Sequence, residues 1–190
     1  MEAFLISIST VALAEIGDRT QLLALLLATR FRQPAPILAA IACAAVANHI
    51  MAALVGIWIG DRLNTVVLDG AVGAGMIVMA AWMLKPEKPE DEQTISGQRG
   101  VFVTTLITFF VAELGDKTQI ATVAMAAHFP NPVMVVIGTT LGMLIADVPA
   151  VFVGDRFSKK IPMKLVHSIA AAMFAVMGVL ALLQVDTWIK

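Results

Sequence analysis

Apolar residues run in blocks long enough to cross a bilayer, and polar residues fall in short clusters between them. Crossing the hydrocarbon core takes about 20 residues of helix. The pattern predicts six helices, over 4–29, 36–59, 66–84, 100–128, 133–153 and 165–189. The breaks between them carry turn chemistry: Arg30-Phe31-Arg32 ahead of Pro34 and Pro36, the polar turn Asp61-Arg62-Leu63-Asn64, and the tight turn Pro130-Asn131-Pro132. One stretch is polar throughout. Residues 85–99, KPEKPEDEQTISGQR, hold two prolines and mixed charge with no apolar period, which predicts a flexible linker. It separates a first three-helix repeat, 1–84, from a second, 100–190.

Two of the predicted helices break the pattern at their centres. The first contains Ala14-Glu15-Ile16-Gly17-Asp18-Arg19-Thr20-Gln21, and the fourth contains Ala112-Glu113-Leu114-Gly115-Asp116-Lys117-Thr118-Gln119, 98 positions later. Glu15 lies about halfway across a core of ~30 Å at ~1.5 Å per residue. Acids are least tolerated there, so their repetition points to function. The offset of 98 also joins Gln21 to Gln119 and Phe31 to Phe129, and places Asn48 and His49 opposite Ala146 and Asp147. The turns Gly60-Asp61-Arg62 and Gly154-Asp155-Arg156 repeat at an offset of 94, which predicts a fifth helix about one turn shorter than the second.

Composition agrees with the hydropathy pattern. The chain is 59% hydrophobic and 14% charged, against about 25% charged residues in soluble domains, and its mean hydropathy is +0.87. An integral membrane protein is expected. A net charge of −1 without long basic runs argues against nucleic acid as a partner. Cys43 is alone, so no intramolecular disulfide forms. The first helix has no basic leader, and Glu15 and Asp18 interrupt any signal-peptide core, so it reads as part of the mature protein.

Three spans per repeat, an odd number, insert the two copies in opposite orientations. With the N-terminus outside, the inner segments hold Arg30, Arg32, Lys85, Lys88, Arg99, Arg156, Lys159, Lys160 and Lys164, and the outer ones only Arg62 and Lys190. That asymmetry places both termini outside and the linker in the cytoplasm. The expected fold is thus an all-α integral membrane protein with six transmembrane helices as two inverted three-helix repeats. In this architecture sites form near the midplane, often at helix breaks. Gly17 and Gly115 would permit such breaks.

On regular helices Glu15 and Asp18 share a face, as do Glu113 and Asp116, and Gln21 and Gln119 extend the stripe. Thr20 and Thr118 turn in only if the helices break. Four acids against Arg19 and Lys117 leave −2, which one divalent cation neutralises. Carboxylate, amide and hydroxyl oxygens suit Mg²⁺, Ca²⁺ and Mn²⁺, and His49 would add a nitrogen acceptable to Mn²⁺. Acids that lose the metal take up protons, the physical basis of antiport. The candidate metal ligands are therefore Glu15, Asp18, Thr20, Gln21, Asn48, His49, Glu113, Asp116, Thr118, Gln119 and Asp147, with Arg19 and Lys117 compensating charge. The plainer alternative is that Glu15 with Arg19, and Glu113 with Lys117, form structural i, i+4 pairs. Asn48 and His49 read equally as interhelical hydrogen-bonding groups, Met125 and Met143 as packing, and Asp69, Asp155 and Asp186 as solvated acids at span ends. The Gly56-x-x-x-Gly60 and Gly138-x-x-x-Gly142 spacings read as helix contacts.

The doubled E-x-G-D-(K/R)-T motif, on the first helix of each half, resembles the Gdt-type cation/proton exchangers, and the short chain without a eukaryotic leader resembles their bacterial manganese-exporter branch. The resemblance covers essentially the whole chain. It implies cation sites built from Glu15, Gly17, Asp18, Arg19 and Thr20 with Glu113, Gly115, Asp116, Lys117 and Thr118, and it favours Mn²⁺ export. The expected function is therefore secondary transport of Mn²⁺ out of the cytoplasm in exchange for H⁺, across a bacterial inner membrane. Ca²⁺/H⁺ exchange is the alternative within the class; a passive channel and an intramembrane hydrolase are the others. Neither HExxH nor GxSxG appears, so no enzyme is expected. No resident cofactor is expected either. Mn²⁺ or Ca²⁺ and H⁺ are substrates, lipid surrounds the chain, and a homodimer is an admissible assembly.

Overall fold

The computed structural model describes residues 1–16, 18–84, 100–153 and 163–183, and the described residues are all-helical outside turns. Both motif-bearing helices are split. The first becomes α1 (Glu2–Glu15) and α2 (Arg19–Phe31), and the fourth becomes α5 (Val101–Glu113) and α6 (Lys117–His128). Between them the chain continues with α3 (Pro34–Gly60), α4 (Thr65–Met83), α7 (Pro132–Val153) and α8 (Met163–Leu182). The linker 85–99 and the Gly154-Asp155-Arg156 turn lie outside the described residues, as do Lys159, Lys160, Asp186 and Lys190. The expected difference in length between the second and fifth helices also turns on residues past Val153, which lie outside them.

Local chemistry explains the ends. Arg32 closes α2 in the left-handed region at φ 53, donating its N–H to Ala28 O. Pro34 then opens α3, where its missing N–H costs nothing. Asn64 Oδ1 accepts the Val67 N–H at 2.9 Å and caps α4, and Asn131 Oδ1 does the same for Met134 at 3.3 Å at the start of α7.

Packing pairs the two halves. α1 lies along α7, α5 along α3, and α4 along α8, while α3 also packs on α6 and α7. Close approach depends on small residues. A Cβ on Gly142 would sit 2.7 Å from Ile8 O, and one on Gly138 would sit 2.8 Å from Phe4 O, both on α1. Gly56 and Gly60 likewise face backbone of α6 at Val123 and Ala127, and Gly73 and Gly178 face each other where α4 crosses α8. The Gly-x-x-x-Gly spacings are therefore helix contacts here, at points where backbones approach closely.

Among the described residues, two helices are by themselves long and apolar enough to cross a membrane, Pro34–Gly60 and Pro132–Phe152. Large apolar side chains such as Leu54, Trp58, Val78 and Phe152 point outward. One expectation is overturned. Asp69 is not a solvated acid: it is buried, with Oδ1 3.3 Å from His128 Nδ1, tying α4 to the end of α6.

A candidate cation site between the two motifs

The two breaks have matching backbone angles at the residues on either side of the glycine. Ile16 and Leu114 are extended at φ −64, ψ 115 and φ −63, ψ 116, and Asp18 and Asp116 are extended at φ −77, ψ 165 and φ −72, ψ 166. Each Asp stands immediately before a new helix, its N–H turned back to Glu15 O (3.0 Å) or Glu113 O (3.2 Å). In the second motif Gly115 occupies φ 76, where a side chain would be strained; Gly17 lies outside the described residues. The glycine thus allows a chain that has ended one helix to begin another within three residues.

The breaks turn the motif side chains toward one another. Glu15, Glu113 and Asp116 each present a carboxylate oxygen, all within 4.8 Å of one another, and all three residues are buried. Thr20 donates its hydroxyl to Glu15 Oε2 at 2.8 Å, and Thr118 donates to Glu113 Oε2 at 3.3 Å. Each threonine therefore fixes one oxygen of its own motif's glutamate. The other oxygen, Oε1 in both residues, is buried without a hydrogen-bond partner. A buried carboxylate oxygen in that state is costly, and two of them beside a third acid form a donor set for a hard cation.

The basic residues do not form the i, i+4 pairs of the structural alternative. Arg19 Nη2 lies 3.0 Å from Asp116 Oδ1 and also donates to Ala112 O at 3.2 Å. Lys117 Nζ pairs with Asp18 Oδ1. Each motif's base thus neutralises the aspartate of the other motif. The two crossed pairs differ in setting. The Arg19 side chain is 32% exposed, whereas that of Lys117 is 3% exposed and that of Asp18 fully enclosed.

The remaining candidates ring the trio without joining it. Gln21 Nε2 donates to Ala146 O at 2.9 Å, which holds α2 on α7. Gln119 Oε1 accepts from Gly115 N at 2.6 Å, and its Nε2 donates to Asn48 Oδ1 at 3.4 Å. Asn48 Nδ2 in turn donates to Phe110 O at 3.2 Å. These amides hold the second break in shape. His49 Nδ1 lies 3.0 Å from Thr140 Oγ1, between α3 and α7, and its Nε2 has no partner. Asp147 is fully buried on α7, and neither of its oxygens has a hydrogen-bond partner.

Sequence reasoning passed over Thr140, and also Ser7, Thr10, Thr104 and Thr105, which are buried along the same helices. A hydroxyl in an apolar helix is a weak signal, because it can bond its own backbone one turn back. The backbone acceptors Ala112 O, Phe110 O and Ala146 O leave no signal in sequence at all.

Facing acids at paired helix breaks, in an apolar helical chain, are the features of a membrane cation carrier. Comparison with known proteins gives that class a family. The profile of the divalent cation/proton antiporter GDT1 family matches residues 3–91 and 101–188, and the chain belongs to that family. A Vibrio cholerae protein named "Putative manganese exporter" is 48% identical over 179 residues, covering 94% of this chain and 89% of its own. The GDT1-like protein sll0615 of Synechocystis is 30% identical, with 95% and 97% of the two chains covered. GDT1-like protein 4 of Oryza sativa is 28% identical, with 91% of this chain and 70% of its own covered. No solved structure matches.

Proposed function

We propose that this protein exports Mn²⁺ from the cytoplasm in exchange for H⁺. The observation that carries the reading is the trio Glu15, Glu113 and Asp116, contributed by both halves and gathered within 4.8 Å. Set against Arg19, the ionised trio has a charge of −2, and Lys117 with Asp18 is neutral by itself. One divalent cation balances the site. Loss of the cation leaves three acids in close contact, and protons restore the balance. Export of metal and return of protons then use the same carboxylates.

Mn²⁺ is preferred as cargo because the most similar of the relatives above bears a manganese-exporter name. The all-oxygen trio is also compatible with Ca²⁺, which stands as the second reading. The twin breaks and the pairing of α1 with α7 and α5 with α3 support six spans arranged as two inverted repeats, 1–84 and 100–190. The basic residues support termini outside and the linker in the cytoplasm of a bacterial inner membrane.

Purified protein in liposomes, with Mn²⁺, Ca²⁺ and luminal pH followed together, tests the reading. Mn²⁺ movement with opposed proton movement supports it. A flux that follows membrane potential alone, with no proton movement, makes the protein a channel, and preference for Ca²⁺ replaces the cargo.

A further inference from the structure

Two pairs of hydroxyls related by the repeat meet different fates. On α1, Ser7 Oγ donates to Met125 Sδ at 3.4 Å, and Thr10 Oγ1 donates to Met177 Sδ at 3.6 Å. These bonds tie α1 to α6 and α8 on the N-terminal side of the first motif. The offset of 98 carries Ser7 to Thr105 and Thr10 to Thr108 on α5. Thr108 bonds its own backbone at Thr104 O, 2.8 Å away. Thr105 does not: its hydroxyl is fully buried and has no partner, and the hydroxyl of the adjacent Thr104 is buried in the same state. The offset carries Met125 to Leu27, a side chain with no acceptor to offer.

The orphaned hydroxyls lie on the way to the site. Thr105, Phe109 and Glu113 are spaced by four and fall on one face of α5, and all are buried. Thr105 is two turns, about 12 Å of helix rise, on the linker side of Glu113. Phe109 stands between them. The matching positions on α1 are Ser7, Val11 and Glu15. A helical threonine ordinarily satisfies its hydroxyl one turn back, and a buried hydroxyl left without any partner calls for a specific cause. Hydroxyl oxygens are hard ligands able to replace water around a divalent cation.

Resting on the transport reading, we propose that Thr104 and Thr105 line the half-pathway by which the divalent cation reaches Glu113 from the linker side, with Phe109 as its plug, while the Ser7–Met125 and Thr10–Met177 contacts seal the opposite half. The two halves of the molecule are then unequal: one path is closed by side-chain bonds, and the other keeps its hydroxyls available to cargo.

Threonine-to-valine replacement separates this role from a structural one. Removing an unpartnered buried hydroxyl while keeping its shape leaves the fold as stable or more so. Thr105→Val should therefore keep or raise the melting temperature in detergent and leave equilibrium Mn²⁺ binding unchanged. Its kcat/KM for Mn²⁺ transport in liposomes should fall about tenfold, the scale of one lost contact to a charged ligand. Thr105→Ser should transport as wild type does. A Thr105→Val protein that transports like wild type, or one that loses melting temperature, overturns the proposal.

Labelling gives an independent readout. In a Cys43→Ser background, Thr105→Cys should react with a charged thiol reagent supplied on the linker side of inverted vesicles, and Mn²⁺ should slow that reaction. No reaction under either condition overturns the proposal. Wild-type protein that moves no Mn²⁺ while Thr105→Cys still reacts would refute the transport reading and leave the water-accessible path standing, so the two failures are distinct.

Discussion

Lys117 and Asp18 form an ion pair in the protein interior, with side chains 3% and 0% exposed, and so join the second motif to the first. The corresponding pair, Arg19 with Asp116, is open to solvent on its arginine side. Twin octapeptides with matching angles on either side of the glycine therefore hold their ion pairs in different settings.

That difference predicts unequal costs. Lys117→Met leaves Asp18 buried and uncompensated, a change worth about 3–5 kcal/mol for a buried pair. Arg19→Met should cost less, because the arginine is 32% exposed and water can reach the space it leaves beside Asp116. Melting temperatures in detergent check this, and equal falls for the two variants would contradict the asymmetry. The double variant Asp18→Asn/Lys117→Met should recover much of the stability lost by Lys117→Met, since removing both charges leaves neither one stranded.

The acids should divide in the same way. Asp116→Asn, Glu15→Gln and Glu113→Gln each remove a charge from the trio. Each should weaken Mn²⁺ binding about tenfold or more, the scale of a lost contact to a charged ligand. Asp18→Asn should weaken it less in the Lys117→Met background than in wild type, where it leaves a stranded lysine near the site. Titration of purified protein with Mn²⁺ decides it. Equal binding by the Asp116 variant and wild type would remove Asp116 from the site.

How much of this was legible in sequence follows from what each feature costs the chain. Acids in an apolar helix are so unfavourable that Glu15, Asp18, Glu113 and Asp116 stand out without any structure. Apolar length gave the approximate outer ends of the described helices, and Gly17 and Gly115 marked where the two motif helices could break, although each was expected as one span. The partners of the bases were not legible. Glu15 and Arg19 are four apart and would meet on an unbroken helix, but the break swings Arg19 across to Asp116. Asp69 misled for a related reason: its place at a span end suggested water, and only the packing of α4 on α6 brings His128 to it. Long-range pairing between helices leaves no periodic trace.

The close helix contacts give a test independent of chemistry. A Cβ at position 142 would lie 2.7 Å from Ile8 O and 2.9 Å from Ala12 N, both backbone atoms that cannot swing aside. Gly142→Ala should force α7 from α1 and cost about 1–3 kcal/mol as overpacking. Gly70→Ala, where the added carbon meets nothing within 4 Å, should be neutral or stabilising by a few tenths of a kcal/mol through helix propensity. Comparing the two melting temperatures checks the packing, and a neutral Gly142→Ala would show that α1 and α7 are further apart than described.

Orientation is tested by labelling. The orientation proposed above, from the basic residues, has the linker in the cytoplasm and Lys190 outside. With Cys43 replaced by serine, Lys190→Cys should react with an impermeant thiol reagent added to intact cells, and Ser96→Cys should react only after the membrane is opened. The reverse pattern would turn the molecule over and make the same chemistry an importer.

Coupling to protons is the remaining prediction, and its sign follows from the trio. At the proposed site Mn²⁺ would need Glu15, Glu113 and Asp116 ionised, so protons would compete with it for the same oxygens. Lowering the pH should weaken apparent Mn²⁺ affinity, and Mn²⁺ binding at fixed pH should release protons. Glu113→Gln removes one competing group, so its proton release per Mn²⁺ bound should fall below that of wild type, and its affinity should depend less steeply on pH. Arg19→Met should shift the curve instead of flattening it. The carboxylates all remain, but Asp116 loses a positive neighbour that favours its ionised form, so a given affinity is reached only at higher pH. Calorimetry in two buffers of different ionisation enthalpy counts the released protons directly, and Mn²⁺ titrations at several pH values give the slopes. Proton release that is the same in wild type and Glu113→Gln would show that the glutamates do not exchange protons for metal, and exchange would have to run through groups outside the trio.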